Sequence, residues 1–124
     1  MKTVATTNAP GAIGPYSQAM ITGNLVFTSG QIAINPASGA VEAVTIAEQT
    51  EQVCKNLGEV LKAAGADFYS VVKTTCFLAD IADFAKFNEV YAKYFVGWPA
   101  RSGVAVKDWP KGSLVEIEVI AEIK

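Results

Sequence analysis

The most informative cluster for chemistry is Pro99-Ala100-Arg101-Ser102-Gly103, read together with Glu116 further along the chain. A guanidinium presents a planar pair of donors suited to a carboxylate, and a nearby glutamate can take a proton from a water molecule or hold that water in place. If residues 101–106 and 113–118 form a hairpin turning through Pro110-Lys111-Gly112, Arg101 and Glu116 fall at the same end of the ladder and can face one pocket. On spacing alone, a structural Arg–Glu pair is the better reading of the same pattern. A second cluster runs from Gly11 to Gln18 and continues at Thr28-Ser29-Gly30-Gln31. Its glycines let a ligand approach backbone amides, Tyr16 offers a ring and a hydroxyl, and Ser29 a donor and acceptor. By composition alone the plainer reading makes Gly14-Pro15 a turn, Tyr16 a packing residue and Gly30 a bulge.

The chain contains no histidine. That removes Ser-His-Asp and Cys-His catalysis, imidazole-bound zinc and the usual proton shuttle of neutral pH. Chemistry falls to Arg, Lys, Tyr, Ser, Cys, carboxylates, backbone groups and water. Cys54 and Cys76 do not form a Cys-x-x-Cys pair and are too few to staple a secreted scaffold, which points to a reducing compartment. Cys76 lies in an apolar run and reads as an inert packing residue.

These side chains must be held by a scaffold whose signals are clear in places. Gly23-Asn24 separates two apolar runs and predicts a hairpin within residues 18–33, and Asn35-Pro36-Ala37-Ser38-Gly39 predicts a second turn. From Thr45 the period changes: Ile46, Val53, Leu57, Val60, Leu61 and Ala64 recur at helical spacing. Thr45 and Glu48 have the form of a capping box, and Gly65 stands where a left-handed terminator is wanted. A β-branched run predicts a strand near 69–79. Asp80 then caps a second helix carrying Ile81, Phe84, Phe87, Tyr91 and Phe95 on one side, and Trp98-Pro99 ends it. Strands over 101–106 and 113–123 complete the order β-β-α-β-α-β-β, an α+β domain with both helices on one face of the sheet. In the last strand Val115, Ile117, Val119 and Ala121 share one side, while the other mixes Ile120 with Glu116, Glu118 and Glu122. Such a face is either solvated or covered by further copies of the chain.

At 124 residues with 51% hydrophobic and 18% charged residues, the chain has the length and apolar content of a single domain spanning 1–124. Ten basic against 12 acidic residues leave a net charge of −2, without the basic field that binds phosphate backbones. No signal-like start and no membrane-length apolar run appear, so a soluble, cytoplasmic protein is expected.

Taken together, Ala12-Ile13-Gly14-Pro15-Tyr16-Ser17-Gln18-Ala19, Thr28-Ser29-Gly30-Gln31-Ile32, Ala63-Ala64-Gly65, Val72-Lys73-Thr74-Thr75, Phe84-Ala85 with Asn88, Pro99-Ala100-Arg101-Ser102 and Val115-Glu116-Ile117-Glu118 resemble the Rid (reactive intermediate deaminase) family, also called YjgF/L-PSP, and most of all its RidA branch. The resemblance spans nearly the whole chain. It implies a chorismate-mutase-like α+β fold with a mixed sheet, assembled as a homotrimer with clefts between subunits. It also implies hydrolysis of enamines and imines such as 2-aminoacrylate and 2-iminobutyrate to 2-keto acids and ammonia, with no cofactor and no metal. By the same resemblance Arg101 clamps the substrate carboxylate and Glu116 holds the attacking water. Tyr16, Ser29, Gly30, Asn88 and Gly103 match the other pocket positions. Gly103 stands where Cys or Thr is common, which is expected to keep a backbone contact while loosening the pocket wall. Trp109 stands where Leu is usual. Two other functions stay in view: a non-catalytic trimer that binds small carboxylates, and, last, an endoribonuclease or translation inhibitor, which this acidic, histidine-free chain is poorly equipped to be.

Overall fold

Thr45 starts the longest helix, α1 (Ile46–Ala64): its hydroxyl oxygen accepts from the Glu48 amide at 3.2 Å and donates to the Glu48 carboxylate at 2.9 Å. The predicted capping box is thus half formed, with the carboxylate taken by the Thr45 hydroxyl rather than by the cap amide. At the other end Gly65 adopts φ 84°, and the Gly65 and Ala66 amides donate to Lys62 and Leu61 carbonyls, the left-handed termination its sequence announces. The computed structural model describes residues 1–109 and 112–124. Around α1 lie β1 (Lys2–Val4), β2 (Ala19–Thr22), β3 (Leu25–Thr28), the short pair β4 (Ile34–Asn35) and β5 (Ala40–Val41), β6 (Val71–Leu78), α2 (Phe84–Tyr94), β7 (Ala100–Ala105) and β8 (Val115–Glu122).

Six strands form one mixed sheet in the order β1-β2-β3-β8-β6-β7, antiparallel throughout except for the parallel pair β6–β7. Both helices cover one face. Val53, Leu57, Val60 and Leu61 of α1 and Phe87, Tyr91 and Phe95 around α2 close over Val26, Cys76, Leu78, Val115, Ile117, Val119 and Ala121. A register shift between Val71 and Lys73 lets Val71 share the buried side with Thr74, Cys76 and Leu78, which strict alternation would not allow. On the uncovered face Phe27 and Val104 are exposed and Phe77 and Ile120 half-buried beside Glu116 and Glu118.

Three sequence expectations change. Strands are added: β1, in a stretch where no element was expected, pairs with β2, and β4 pairs with β5 across the expected Asn35–Gly39 turn. Asp80 caps not α2 itself but a 3-10 turn over Ile81–Asp83, whose Ile81 is exposed. Most consequentially, β7 and β8 are not a hairpin, because β6 lies between them. The helix joining β6 to β7 returns the chain so that the two strands run parallel. β8, with every second residue buried, suits the interior of the sheet, whereas β7 is exposed along its whole length and takes the edge. Of the turn expected at Pro110-Lys111-Gly112, Pro110 and Lys111 lie outside the described residues.

Gln49 fastens the start of β8 to α1. Fully buried, its amide nitrogen donates to the Ala43 and Gly112 carbonyls at 3.0 and 2.6 Å, and its oxygen accepts from the Leu114 amide at 2.8 Å. Truncation would leave these backbone groups without partners in a buried setting. Gln49→Ala is therefore expected to cost about 2–3 kcal/mol, read as a lowered midpoint in urea unfolding, with an unchanged midpoint as the contrary result.

Candidate active site

Arg101 is the second residue of β7, opposite Thr74 of β6 and on the helix-covered side. Thr74 is buried and shares a 2.8 Å hydrogen bond with the Tyr91 hydroxyl of α2. The Arg101 guanidinium lies 4.8 Å from the centre of the Tyr91 ring and donates through Nη1 to Asn88 Oδ1 at 2.7 Å. Ring stacking and one amide contact aim the group while leaving further donors free. Among the described residues no carboxylate is paired with it; the one ion pair joins Lys124 to Asp67. The guanidinium and Asn88 form the polar end of a cavity of about 340 Å³ whose remaining walls include Tyr91, Phe95, Trp98 and Pro99.

Gly103 follows on the same side, opposite Cys76. A Cβ placed there would stand 2.7 Å from Phe84 Cζ. The wall is therefore not loosened as expected: the Phe84 ring, held edge-on against Phe87, fills the space that a side chain at 103 would occupy. Beneath it the Cys76 thiol is buried, and burial, partly offset by Thr74 and Arg101, raises its pKa to about 11, as befits a packing residue.

Glu116 belongs to a different place. It sits on β8 between the buried Val115 and Ile117, so its side chain points to the uncovered face. Arg101 aligns with Thr74 and Thr74 with Val119, which puts the two backbones roughly 14 Å apart as well as their side chains on opposite faces. Around Glu116 the predicted second cluster does assemble. Phe27 pairs with Ile120 and Gln31 with Ile117, four steps along one strand against three along the other, so an extra residue bulges out near Ser29-Gly30. Gly30 is there for room, since a Cβ on it would fall 2.2 Å from Glu116 Oε2. The bulge reading of this glycine holds, and the bulge brings its backbone beneath a carboxylate. Burial first and the charge of Glu118 second push the Glu116 carboxyl above its ordinary pKa.

Ser29 ties this region down, its hydroxyl donating to the Ser17 carbonyl at 2.6 Å and its amide to the Gln18 carbonyl. Gln18 does the same from within, accepting from the Thr6 amide and donating to the Thr6 and Pro10 carbonyls. The Gly14-Pro15 turn closes with the Tyr16 amide on the Gly14 carbonyl, while the half-exposed Tyr16 ring brings its hydroxyl to the Ile13 amide. Tyr16, Gly30 and Glu116 thus line one small cavity of about 140 Å³. Of the seven residues singled out in the sequence, Arg101, Asn88 and Gly103 gather on one side of the sheet and Glu116, Gly30, Ser29 and Tyr16 on the other. Sequence reasoning missed Tyr91 and Trp98. Tyr91 was visible only as an apolar helical position, and Trp98 only as a helix terminator.

The model of the family described as Endoribonuclease L-PSP matches residues 6–123. A Lactococcus lactis protein named as a proposed regulator, AldR, is 53% identical over 100% of this chain and 99% of its own length. The human 2-iminobutanoate/2-iminopropanoate deaminase is 50% identical over 97% of this chain and 88% of its own. Among solved structures, the Yersinia pestis protein YyfA of the Rid protein family superposes with a TM-score of 0.94 at 48% identity, covering 98% of each chain. The chain belongs to the L-PSP family, that of the YjgF and Rid proteins, and has its α+β fold. No helix among the described residues is long and apolar enough to cross a membrane.

Proposed function

We propose that this protein hydrolyses reactive enamines and 2-imino acids, 2-aminoacrylate and 2-iminobutyrate among them, to 2-keto acids and ammonia. The observation that carries the proposal is the Arg101 guanidinium, pre-aimed by Tyr91 and Asn88 over an apolar cavity and free of any carboxylate of its own among the described residues. Half-identical relatives named as 2-iminobutanoate/2-iminopropanoate deaminases support the choice of reaction. In this reading Arg101 takes the substrate carboxylate through paired donors, with Asn88 beside it. Glu116 accepts a proton from water as the water oxygen adds to the C=N carbon, and the π pair moves to nitrogen. The proton then passes to that nitrogen and the C–N bond breaks as the carbonyl forms, the remaining hydroxyl proton passing through Glu116 to the departing ammonia, which leaves as ammonium. An enamine first takes a proton at carbon and joins the same path. The iminium carbon is already electrophilic, so orientation and charge complementarity supply the catalysis.

Arg101 and Glu116 cannot act on one molecule from opposite faces of one chain, and this supports a site shared between copies. We infer a homotrimer in which the exposed edge strand β7, carrying Arg101, meets the Tyr16, Gly30 and Glu116 region of the next subunit. Unlike surfaces meeting head to tail close into a ring, and the apolar patches around Phe27 and Val104 give such a ring surface to bury. We place the protein in the cytoplasm, with two buried, unpaired cysteines in support.

Generating 2-iminobutyrate in situ with a threonine dehydratase and following its decay tests the activity directly. Faster decay is expected with the protein present; none from a folded assembly would favour the second reading, a carboxylate-binding regulator, to which the name of the Lactococcus relative points. RNA cleavage that scales with protein and is lost with Arg101→Ala would instead favour the nuclease named by the family description. Gly30→Ala probes the other half-site. The new methyl would crowd Glu116 Cγ as well as its carboxylate, so the whole side chain must turn away and its place is lost. A displacement of this kind is expected to lower kcat/KM about 100-fold, and an unchanged value would remove Glu116 from the mechanism.

A further inference from the structure

The cavity beside Arg101 is larger than a carboxylate and a methyl or ethyl group need. At about 340 Å³ it falls in the range that holds ligands with a ring or a branched chain, roughly 300 Å³ and upward. Its chemistry is graded. Arg101 and Asn88 make one polar end, while the Tyr91 and Phe95 rings, stacked 4.3 Å apart between centroids, make an apolar floor. Ala92 leaves room at one wall. Trp98 lines the same cavity, and two facts set it apart. It is the one described residue other than glycine with positive φ, at 53°, and its side chain is 91% exposed. A bulky residue held in the left-handed region without packing of its own is a strained feature of the kind that marks ligand-contacting positions.

We propose that this cavity receives the side chain of the imino acid whose carboxylate Arg101 holds, and that Trp98 biases the enzyme toward bulky apolar side chains, of the leucine and phenylalanine type. The proposal rests on the reading of Arg101 given above. With the carboxylate on the guanidinium and Asn88, a substituent lies along the Tyr91 and Phe95 rings and meets the indole, which shields it from water. A methyl group is too small to fill a cavity of about 340 Å³ and gains less from its apolar walls.

The test generates imino acids in situ from alanine, 2-aminobutyrate, leucine and phenylalanine with an amino-acid oxidase and catalase, and compares kcat/KM across the series. The wild-type protein is expected to favour the phenylalanine-derived imine over the 2-aminobutyrate-derived one about tenfold or more, the discrimination an apolar pocket gives for a few carbon atoms. Trp98→Ala should bring that ratio close to one. Ala92→Phe, at an exposed helix position that tolerates a ring, should do the same by filling the cavity. Turnover of the small imines with no preference for the large ones overturns the proposal and leaves the deaminase reading standing. So does a Trp98→Ala variant that dissociates the assembly and loses all four activities alike. Absence of turnover on every imine sinks the deaminase reading itself, and calorimetry with the corresponding keto acids then decides the cavity. Phenylpyruvate bound more tightly than 2-oxobutyrate by the wild type, and not by Trp98→Ala, supports it; equal binding or none overturns it.

Discussion

Arg101→Ala is expected to reduce kcat/KM for 2-iminobutyrate by about 10³-fold, close to loss of measurable activity, while the protein folds and assembles as before. The size follows from what is removed. A carboxylate held by paired, charge-assisted hydrogen bonds in a sheltered site loses about 2–5 kcal/mol when its cation is truncated, and the substrate's alignment to the attacking water goes with it. The fold should be indifferent, because Arg101 is exposed and its contacts are to the Tyr91 ring face and the Asn88 amide, neither of which depends on it for burial. Tyr91 keeps its hydroxyl on Thr74 and its ring on Phe95. Arg101→Lys separates charge from geometry. A lysine retains the cation but not the paired donors, so partial recovery with a raised KM is expected, and full recovery would show that a point charge is enough. Imine decay with matched sizing measurements reads all three proteins; activity retained by an assembled Arg101→Ala variant would mean that the carboxylate is held elsewhere.

The helix α1 was legible in the sequence because two independent signals agreed, the apolar period and the residues at both caps. The chain order of the longer strands was legible as well; β1 and the short pair β4 and β5 were not. Which strands are neighbours was not. Alternation along 101–106 and 113–118 reports which residues share a face, but says nothing of what lies alongside, and the partner of β7 is a strand that precedes it by a whole helix. That one missed pairing sent Arg101 and Glu116 to a common hairpin end, when they occupy opposite faces. Resemblance to the family supplied the residues without their placement within one chain. Gly30 and Gly103 show a different limit. In a sequence a glycine is only a missing side chain, and what uses the space, the Glu116 carboxylate in one case and the Phe84 ring in the other, comes from elements distant in the chain. The strain at Trp98 left no trace, since nothing in Gly97-Trp98-Pro99 requires the tryptophan, rather than the glycine, to take the positive φ.

Glu116→Gln is expected to lower kcat by about 10²–10³-fold with little change in KM, because the amide keeps the shape of the side chain and the contact over Gly30 but cannot accept the proton from water. Its effect on stability should run the other way. Burial and Glu118 raise the folded-state pKa of Glu116 above its unfolded value, so the folded chain favours the protonated form. The sign follows by linkage: this group's contribution to stability is fully present below the unfolded pKa and is lost as pH rises through the folded one. Glutamine stays neutral throughout. At neutral pH the variant should therefore be no less stable than the wild type, and the difference in its favour should fade as pH falls toward the carboxylate range. Activity supplies the complementary signature. Wild-type turnover should decline as pH falls through the Glu116 pKa, and that limb should be missing from the residual activity of the variant. A guanidinium brought close by a neighbouring subunit pulls this pKa back down, so the position of the limb also reports how near Arg101 and Glu116 lie in the assembled site. Equal turnover by Glu116→Gln and wild type would show that water attacks without this carboxylate. A variant that loses stability together with activity would make Glu116 a structural residue of the uncovered face.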